Sequence, residues 1–381
     1  MIPTTTVARA RRTVAALLLA SVACSLQAQV VQLPVPAPAS RPAVEAAPSI
    51  ALVLPTQQTV FAQAAEAVRL GFFAAHEAAR STLPIQVIEV DDDAAQLQAA
   101  IGGARERGVR VVVGPLLRSE VNAVFDGGYA AVPLVALNYP DRGHSAPATM
   151  IALGLSAEVE AQYVVRIALA EVVGTRRAPS AAPRFVVLAG SGPLERRIAQ
   201  AYVSALRAGG EVPTVVDIAA EGGDRLARLL DPNRHEAVFL ALDAGAAALL
   251  RAHIPRPIPV FGTSLLNPGA GATTPEATAL ANDLDGVRFV DMPWLVRADA
   301  AAGAGRLRPA APLPAELARL YALGADAYQV AQRWSAGETR FTIEGMTGRL
   351  SVDRAAGPRV ERTPAAAIYR NGAVEREEIG R

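Results

Sequence analysis

At 381 residues the chain exceeds the roughly 250 to 300 at which a single hydrophobic core stops growing, so two lobes are expected. Its 37 basic and 36 acidic residues leave a net charge of +1, which excludes the basic footprint that nucleic-acid binding needs. Hydrophobic residues make up 51% but aromatics only 5%, so the core must be layered from Val, Leu, Ile and Ala, as where helices cover a parallel sheet; lysine is absent, which excludes chemistry built on an amine.

Arg9, Arg11 and Arg12 precede the apolar run Val14 to Ala23, too short to span a bilayer and suited to a signal h-region. Residues 1–24 are therefore read as a signal segment that exports the protein. The single cysteine, Cys24, follows Ser21-Val22-Ala23. A lone exported thiol cannot form an internal disulfide, so it is cut away with the signal, left free or lipidated. The small residues before it fit a lipobox, except that Ser21 stands where leucine is usual, and Leu26-Gln27-Ala28 offers an ordinary cleavage site. Residues 25–48 read as an extended tether, Pro- and Ala-rich without a period from about Gln29 to Pro48, a run with roughly 60 Å of reach at about 3.1 Å per residue.

The body opens with the apolar run Ile50 to Leu54, a buried strand stopped by Pro55-Thr56. Phe61, Ala65, Val68, Phe72 and Ala75 follow at helical spacing. Ile85 to Val90 is a second strand, and Asp91, Asp92 and Asp93 cap the helix carrying Leu97, Ile101 and Ala104. Strands Val109 to Gly114 and Val132 to Leu137 enclose a short helix, and Met150 to Leu153 completes a doubly wound series. The pattern then restarts. A helix through Val159, Tyr163, Ile167 and Ala170 leads over the loop 174–183 to strand Phe185 to Leu188, and further strands at Val212 to Ile218, Ala237 to Leu240 and Ile258 to Phe261 alternate with helices. Helical segments Pro314 to Tyr321 and Ala325 to Trp334 come later, and Met346 to Val352 and Ala366 to Tyr369 read as closing strands.

The expected architecture is α/β and bilobed, with two doubly wound parallel sheets and a cleft at the strand C-termini. Residues 49–153 with 264–335 are assigned to lobe 1, and 154–263 with 340–381 to lobe 2. Polar candidates at the strand ends are Thr56, Arg118, Asn138, Ser191, Asp243 and Thr263, with Leu117 beside them. Arg118 and Asp243 offer a clamp for a zwitterion, or equally serve as solvated loop charges. The four histidines show no metal-ligand spacing, Ser191 lacks a nucleophile elbow, and Gly269-Ala-Gly271 follows no clean strand. No catalytic residue, metal or cofactor is therefore assigned.

The stretch Asp285-Gly-Val-Arg-Phe-Val-Asp-Met-Pro-Trp-Leu295 joins a turn, a short strand and a proline stop, and it reads as a crossing between lobes. With Ile50-Ala-Leu-Val-Leu-Pro55, Val112-Val-Gly-Pro-Leu-Leu-Arg118, Val132 to Asn138, Gly324-Ala-Asp-Ala-Tyr328 and Thr347-Gly-Arg-Leu-Ser351, it resembles the LppC family, lipoprotein activators of penicillin-binding proteins. Asp285, Gly286, Asp291, Met292, Pro293 and Trp294 are the most specific part of the match. The resemblance implies a type I periplasmic-binding-protein fold, lipid at Cys24, an outer-membrane location and direct contact with a bifunctional class A penicillin-binding protein. Long members carry an N-terminal helical-repeat domain where this sequence has only the tether. Amino-acid-binding relatives of the fold offer small hydroxyl residues after strands three and four, and here Leu116-Leu117 and Asn138-Tyr139 stand instead. A protein-contact role is accordingly preferred to capture of an amino acid or cell-wall fragment, with the loop 174–183 and the surroundings of Trp294 as contact surfaces.

Overall fold

The computed structural model describes residues 48–56, 58–91, 93–127, 132–141, 147, 149–173, 184–218, 226–269, 274–296 and 307–378. The expected signal segment, Cys24, the tether up to residue 47 and the loop 174–183 lie outside them.

Ser49–Pro55 (β1) is buried along its whole length, as a strand covered on both faces must be. Helix Ala62–Ala78 (α1) leads to Ile85–Val90 (β2), helix Ala94–Gly102 (α2) to Val109–Val113 (β3), and helix Arg118–Gly127 (α3) to Leu134–Ala136 (β4) and Met150–Ala152 (β5). All five strands pair in parallel, in the order β2-β1-β3-β4-β5. Asp93 caps α2, its Oδ1 accepting from the N–H of Ala95 at 2.7 Å.

Helix Ala157–Val173 (α4) begins the second series, with Phe185–Ala189 (β6), Pro193–Ala208 (α5), Thr214–Asp217 (β7), Ala237–Ala241 (β8), Ala244–Arg251 (α6), Val260–Gly262 (β9), Pro275–Asp283 (α7) and Val287–Asp291 (β10). Its parallel strands run β7-β6-β8-β9-β10, the same winding as the first sheet. The short helix Pro293–Val296 (α8) then precedes Ala315–Ser335 (α9), which returns to the first lobe. Strands Arg340–Glu344 (β11), Arg349–Asp353 (β12) and Glu361–Thr363 (β13) form a small antiparallel sheet. Ala365–Arg370 (β14) and Ala373–Glu377 (β15) extend the second sheet antiparallel beyond β10.

The expected lobe boundaries change at two places. Segment 264–291 stays with the second sheet, because β10 pairs in parallel with β9 and antiparallel with β14. Residues 340–363 belong to the first lobe, since Phe341, Ile343, Leu350, Val352 and Val360 join the core around β1 and α9. The N–H of Val360 also donates to the carbonyl of Ala152 at the end of β5. Only β14 and β15 close the second lobe. The expected strand Met346 to Val352 is β12 preceded by a hairpin turn, and β11 shows clean alternation, with Phe341 and Ile343 buried between exposed neighbours. Helix α4 is rotated from the expected face: Ala161, Val164, Val165 and Ala168 are buried, while Tyr163 and Ile167 only flank the core.

The first core centres on α9 against α1. Phe72 and Tyr328, both fully buried, meet edge to face at 5.2 Å. A Cβ added at Gly71 would lie 1.8 Å from the carbonyl oxygen of Tyr321, and one at Gly324 would lie 2.0 Å from that of Val68. Glycine at both positions lets the helices meet backbone to backbone. That contact places the N-terminal turns of α9 against the second lobe.

Candidate functional site

The chain crosses between lobes at residues 153–156, at 292–296 and at Pro364. All three crossings line one small pocket: Leu155 and Ser156 from the first, Met292 from the second and Pro364 from the third, with Glu160, Asp291, Thr347 and Arg362 supplying polar groups. The Asp285 to Leu295 stretch is thus a crossing, as its sequence suggests. Phe289 packs in the second core, while Met292 and Leu295 pack in the first.

Asp291 ends β10 with no exposed surface. Arg319, from the first-lobe helix α9, reaches it with Nη2 at 2.8 Å from Oδ2 and Nε at 3.3 Å from Oδ1. The same Nη2 donates to the carbonyls of Ser264 (3.0 Å) and Asn267 (2.9 Å), which follow β9. Asn267 Nδ2 and the N–H of Met292 complete the shell of Asp291, at 2.8 and 2.7 Å. A two-toothed, multiply bonded pair of this kind ties one lobe to the other. Burial acts to lower Arg319, but the Asp291 carboxylate outweighs it and holds the guanidinium above its usual value.

On the far side of Ser264, its N–H donates to Glu160 Oε2 at 3.0 Å. Burial, helped by the nearby Asp291 charge, pushes the Glu160 carboxyl up from 4.5 to about 7. Between these values the unfolded chain sheds the proton while the folded chain keeps it. Stability supplied by this group is therefore full below about pH 4.5 and is lost as pH rises through about 7. Glu160→Gln, which still accepts from Ser264, is expected to be on the order of 2–3 kcal/mol more stable relative to the parent at pH 8 than at pH 4. Urea denaturation of both proteins across that range checks this. Equal pH slopes for the two proteins would contradict it.

A second buried carboxylate braces the hinge from the first lobe. Asp326, in α9 and fully buried, accepts from the N–H groups of Met346 and Thr347 and from Thr347 Oγ1, at 2.8, 2.8 and 2.6 Å. Burial raises its carboxyl despite these bonds. Thr347 Oγ1 in turn accepts from Arg362 Nε at 2.9 Å, and Arg362 Nη1 donates to the carbonyl of Gly154 at the first crossing.

The strand-end candidates are engaged locally and none lines this pocket. Thr56 Oγ1 donates to Asp91 (2.8 Å), and the N–H of half-buried Leu117 donates to Glu120 (3.2 Å). Arg118 lies 3.4 Å from Asp141. Asn138 Nδ2 donates to the Leu116 carbonyl (3.2 Å). The Ser191 carbonyl accepts from Arg196, and Ser191 itself is exposed. Asp243 caps α6 through the N–H of Ala246 (2.8 Å), and buried Thr263 caps the following turn at Leu265 (3.4 Å). Arg118 and Asp243 thus have separate partners, one an ion pair and the other a helix cap.

Among the signature residues, Asp285 and Gly286 form the turn into β10. Gly286 adopts φ +79°, and the Asp285 carboxylate meets Arg256 at 3.0 Å. Half-buried Trp294 stacks on Tyr321 with ring centroids 6.1 Å apart. Asp291, Asp326 and Thr347 all fall in stretches that carry the family resemblance. Glu160, Arg319 and Arg362 carry no motif. Only the position of Glu160, four residues before buried Val164 on one helix face, sets it apart from a surface acid.

The family model described as "LppC putative lipoprotein" matches residues 44–211 and 230–372. A penicillin-binding protein activator LpoA from Photobacterium profundum is 23% identical over 347 residues, 80% of this chain and 53% of the relative, so the chain spans about half the length of that curated protein. The C-domain of LpoA (YraM) from Haemophilus influenzae, titled a regulator of PBP1A, superposes with TM-score 0.70 at 22% identity, covering 87% of this chain and 100% of the domain. A "putative branched-chain amino acid ABC transporter" from Chromobacterium violaceum ATCC 12472 superposes with TM-score 0.67 at 31% identity, covering 84% and 99%. The fold is that of the type I periplasmic binding proteins. Because the family model takes in both lobes and the crossings between them, the chain belongs to the LppC family.

Proposed function

We propose that the protein is a non-catalytic envelope lipoprotein that activates a bifunctional class A penicillin-binding protein by direct contact. The observation that carries this reading is the likeness to the whole of the LpoA C-domain, titled a regulator of PBP1A, together with the curated relative named a penicillin-binding protein activator. The local engagement of Thr56, Asn138, Asp243 and Thr263 supports it, since each spends a side-chain bond on a cap or a neighbouring loop. In this reading residues 1–24 direct export, lipid at Cys24 anchors the protein at the periplasmic face of the outer membrane, and residues 25–48 are the tether. Contact is through protein surface, including the neighbourhood of Trp294 and the loop 174–183.

The second reading is a solute-binding protein for amino acids or a cell-wall fragment, favoured by the 31% identity to the Chromobacterium violaceum protein. Thr56, Leu117, Arg118, Asn138, Ser191, Asp243 and Thr263 would then release their local partners to meet a ligand. The two readings separate in one experiment: pull-down and stimulation of peptidoglycan synthesis with a class A penicillin-binding protein, beside thermal-shift measurements with amino acids and muropeptides. Binding and stimulation without a thermal shift are expected. A large shift from a free amino acid with no synthase binding would overturn the proposal, as would turnover of peptidoglycan by the purified protein alone.

A further inference from the structure

We propose that the face formed by α1 and the start of α9 is the contact for a second copy of this chain. Between the two helices runs an open groove of about 480 Å³, lined by Ala62, Ala67 and Leu70 of α1 and by Leu313, Pro314 and Leu317 at the start of α9. Its polar side chains are Gln63 and Glu66. The pocket at the crossings holds about 20 Å³, so of the two it is the groove that has room for side chains. Single exposed apolar residues are ordinary, but here they gather: Leu70 is 42% exposed in the groove wall, and Val60, just before the first turn of α1, is 93% exposed.

Two features select a copy of the chain over a foreign partner. The face both projects and receives, since Leu70 stands beside the groove that a leucine of its kind would fill, and a two-fold contact requires both on one patch. Its charge is self-complementary as well. Glu66 and Arg69 lie one turn apart on α1, each about one-third exposed, and Arg69 donates to Glu66 through Nε and Nη2, both at 2.6 Å. A two-fold axis passing between them sets each beside the opposite charge of the second copy and lays Leu70 of each copy over the groove of the other. The area is modest. The 17 residues of α1 make a face about 25 Å long, and two helices side by side are about 20 Å across, so each copy covers on the order of 500 Å². That is the low end for a specific interface, and the dimer is accordingly weak, with a dissociation constant on the order of 10–100 μM. This contact is independent of any synthase.

Sedimentation equilibrium of the full chain from about 1 to about 300 μM tests it, with Cys24→Ser so that neither lipid nor a thiol cross-link joins the copies. The mean mass is expected to rise towards twice that of one chain. Leu70→Glu should hold the monomer mass to the highest concentration, while Leu249→Glu, at a 78% exposed position on the second lobe, should associate as the parent does. The charge pair gives a readout peculiar to a two-fold contact. Glu66→Arg and Arg69→Glu should each stay monomeric, because faces of one sign meet, and an equimolar mixture of the two should associate. A parent that remains monomeric at the highest concentration overturns the proposal, as does association that survives Leu70→Glu, or a mixture no better than its components. A monomeric parent whose binding to a class A synthase is lost with Leu70→Glu would overturn it too, and would give the face to that partner.

Discussion

Arg319→Ala is expected to cost about 3–5 kcal/mol of stability, the scale for breaking a buried ion pair by removing one partner. Asp291 has no exposed surface and would keep only Asn267 Nδ2 and the N–H of Met292, neither of which carries charge. The carbonyls of Ser264 and Asn267 would lose the same guanidinium. The loss should therefore greatly exceed that of an exposed, solvent-screened pair such as Arg340 with Asp353. Removing the uncompensated charge as well, in Arg319→Met with Asp291→Leu, should restore much of the stability, because such pairs roughly balance their own desolvation. Denaturant unfolding of Arg319→Met, Asp291→Leu and the double variant makes a cycle that isolates the pair. A single-variant loss near 1 kcal/mol would show that the pair is not the tie described.

Asp326→Asn is expected to cost about 2–4 kcal/mol although it preserves volume. Both carboxylate oxygens accept: Oδ1 from the N–H of Met346, and Oδ2 from the N–H and hydroxyl of Thr347. An amide must turn its NH₂ toward one of these donors, leaving a buried donor unpaired. The effect should spread along the chain of bonds. Thr347 orients Arg362, and Arg362 holds the Gly154 carbonyl at the first crossing, so proteolysis near residues 153–156 should quicken in the variant. Thr347→Val, which removes the hydroxyl but keeps the N–H bond, should cost less. Comparable losses for the two variants would place the energy in the hydroxyl rather than in the carboxylate.

Much of the architecture was legible in the chain itself. Apolar runs such as Ile50 to Leu54 and Phe185 to Leu188, each followed by residues at helical spacing, determine strand and helix locally, and their repetition across two halves determines two wound sheets. Proline after a short strand at Asp291-Met-Pro293 marks a crossing, since it removes the donor that would continue the ladder. The family resemblance was carried by the same residues. What a strand joins was another matter. Periods of 2 and 3.6 record which face a residue shows to its own element, and they hold no record of which sheet closes on which strand. For that reason β10 and the small sheet β11 to β13 went to the lobes opposite those expected. The hinge is a stronger case. Glu160 meets Ser264 104 residues away, and Arg362 meets Gly154 208 residues away. These polar groups sit singly among apolar neighbours and resemble surface charges until three crossings are folded together. Only the closed tertiary structure removes their water, and that desolvation turns ordinary acids and arginines into a bonded site.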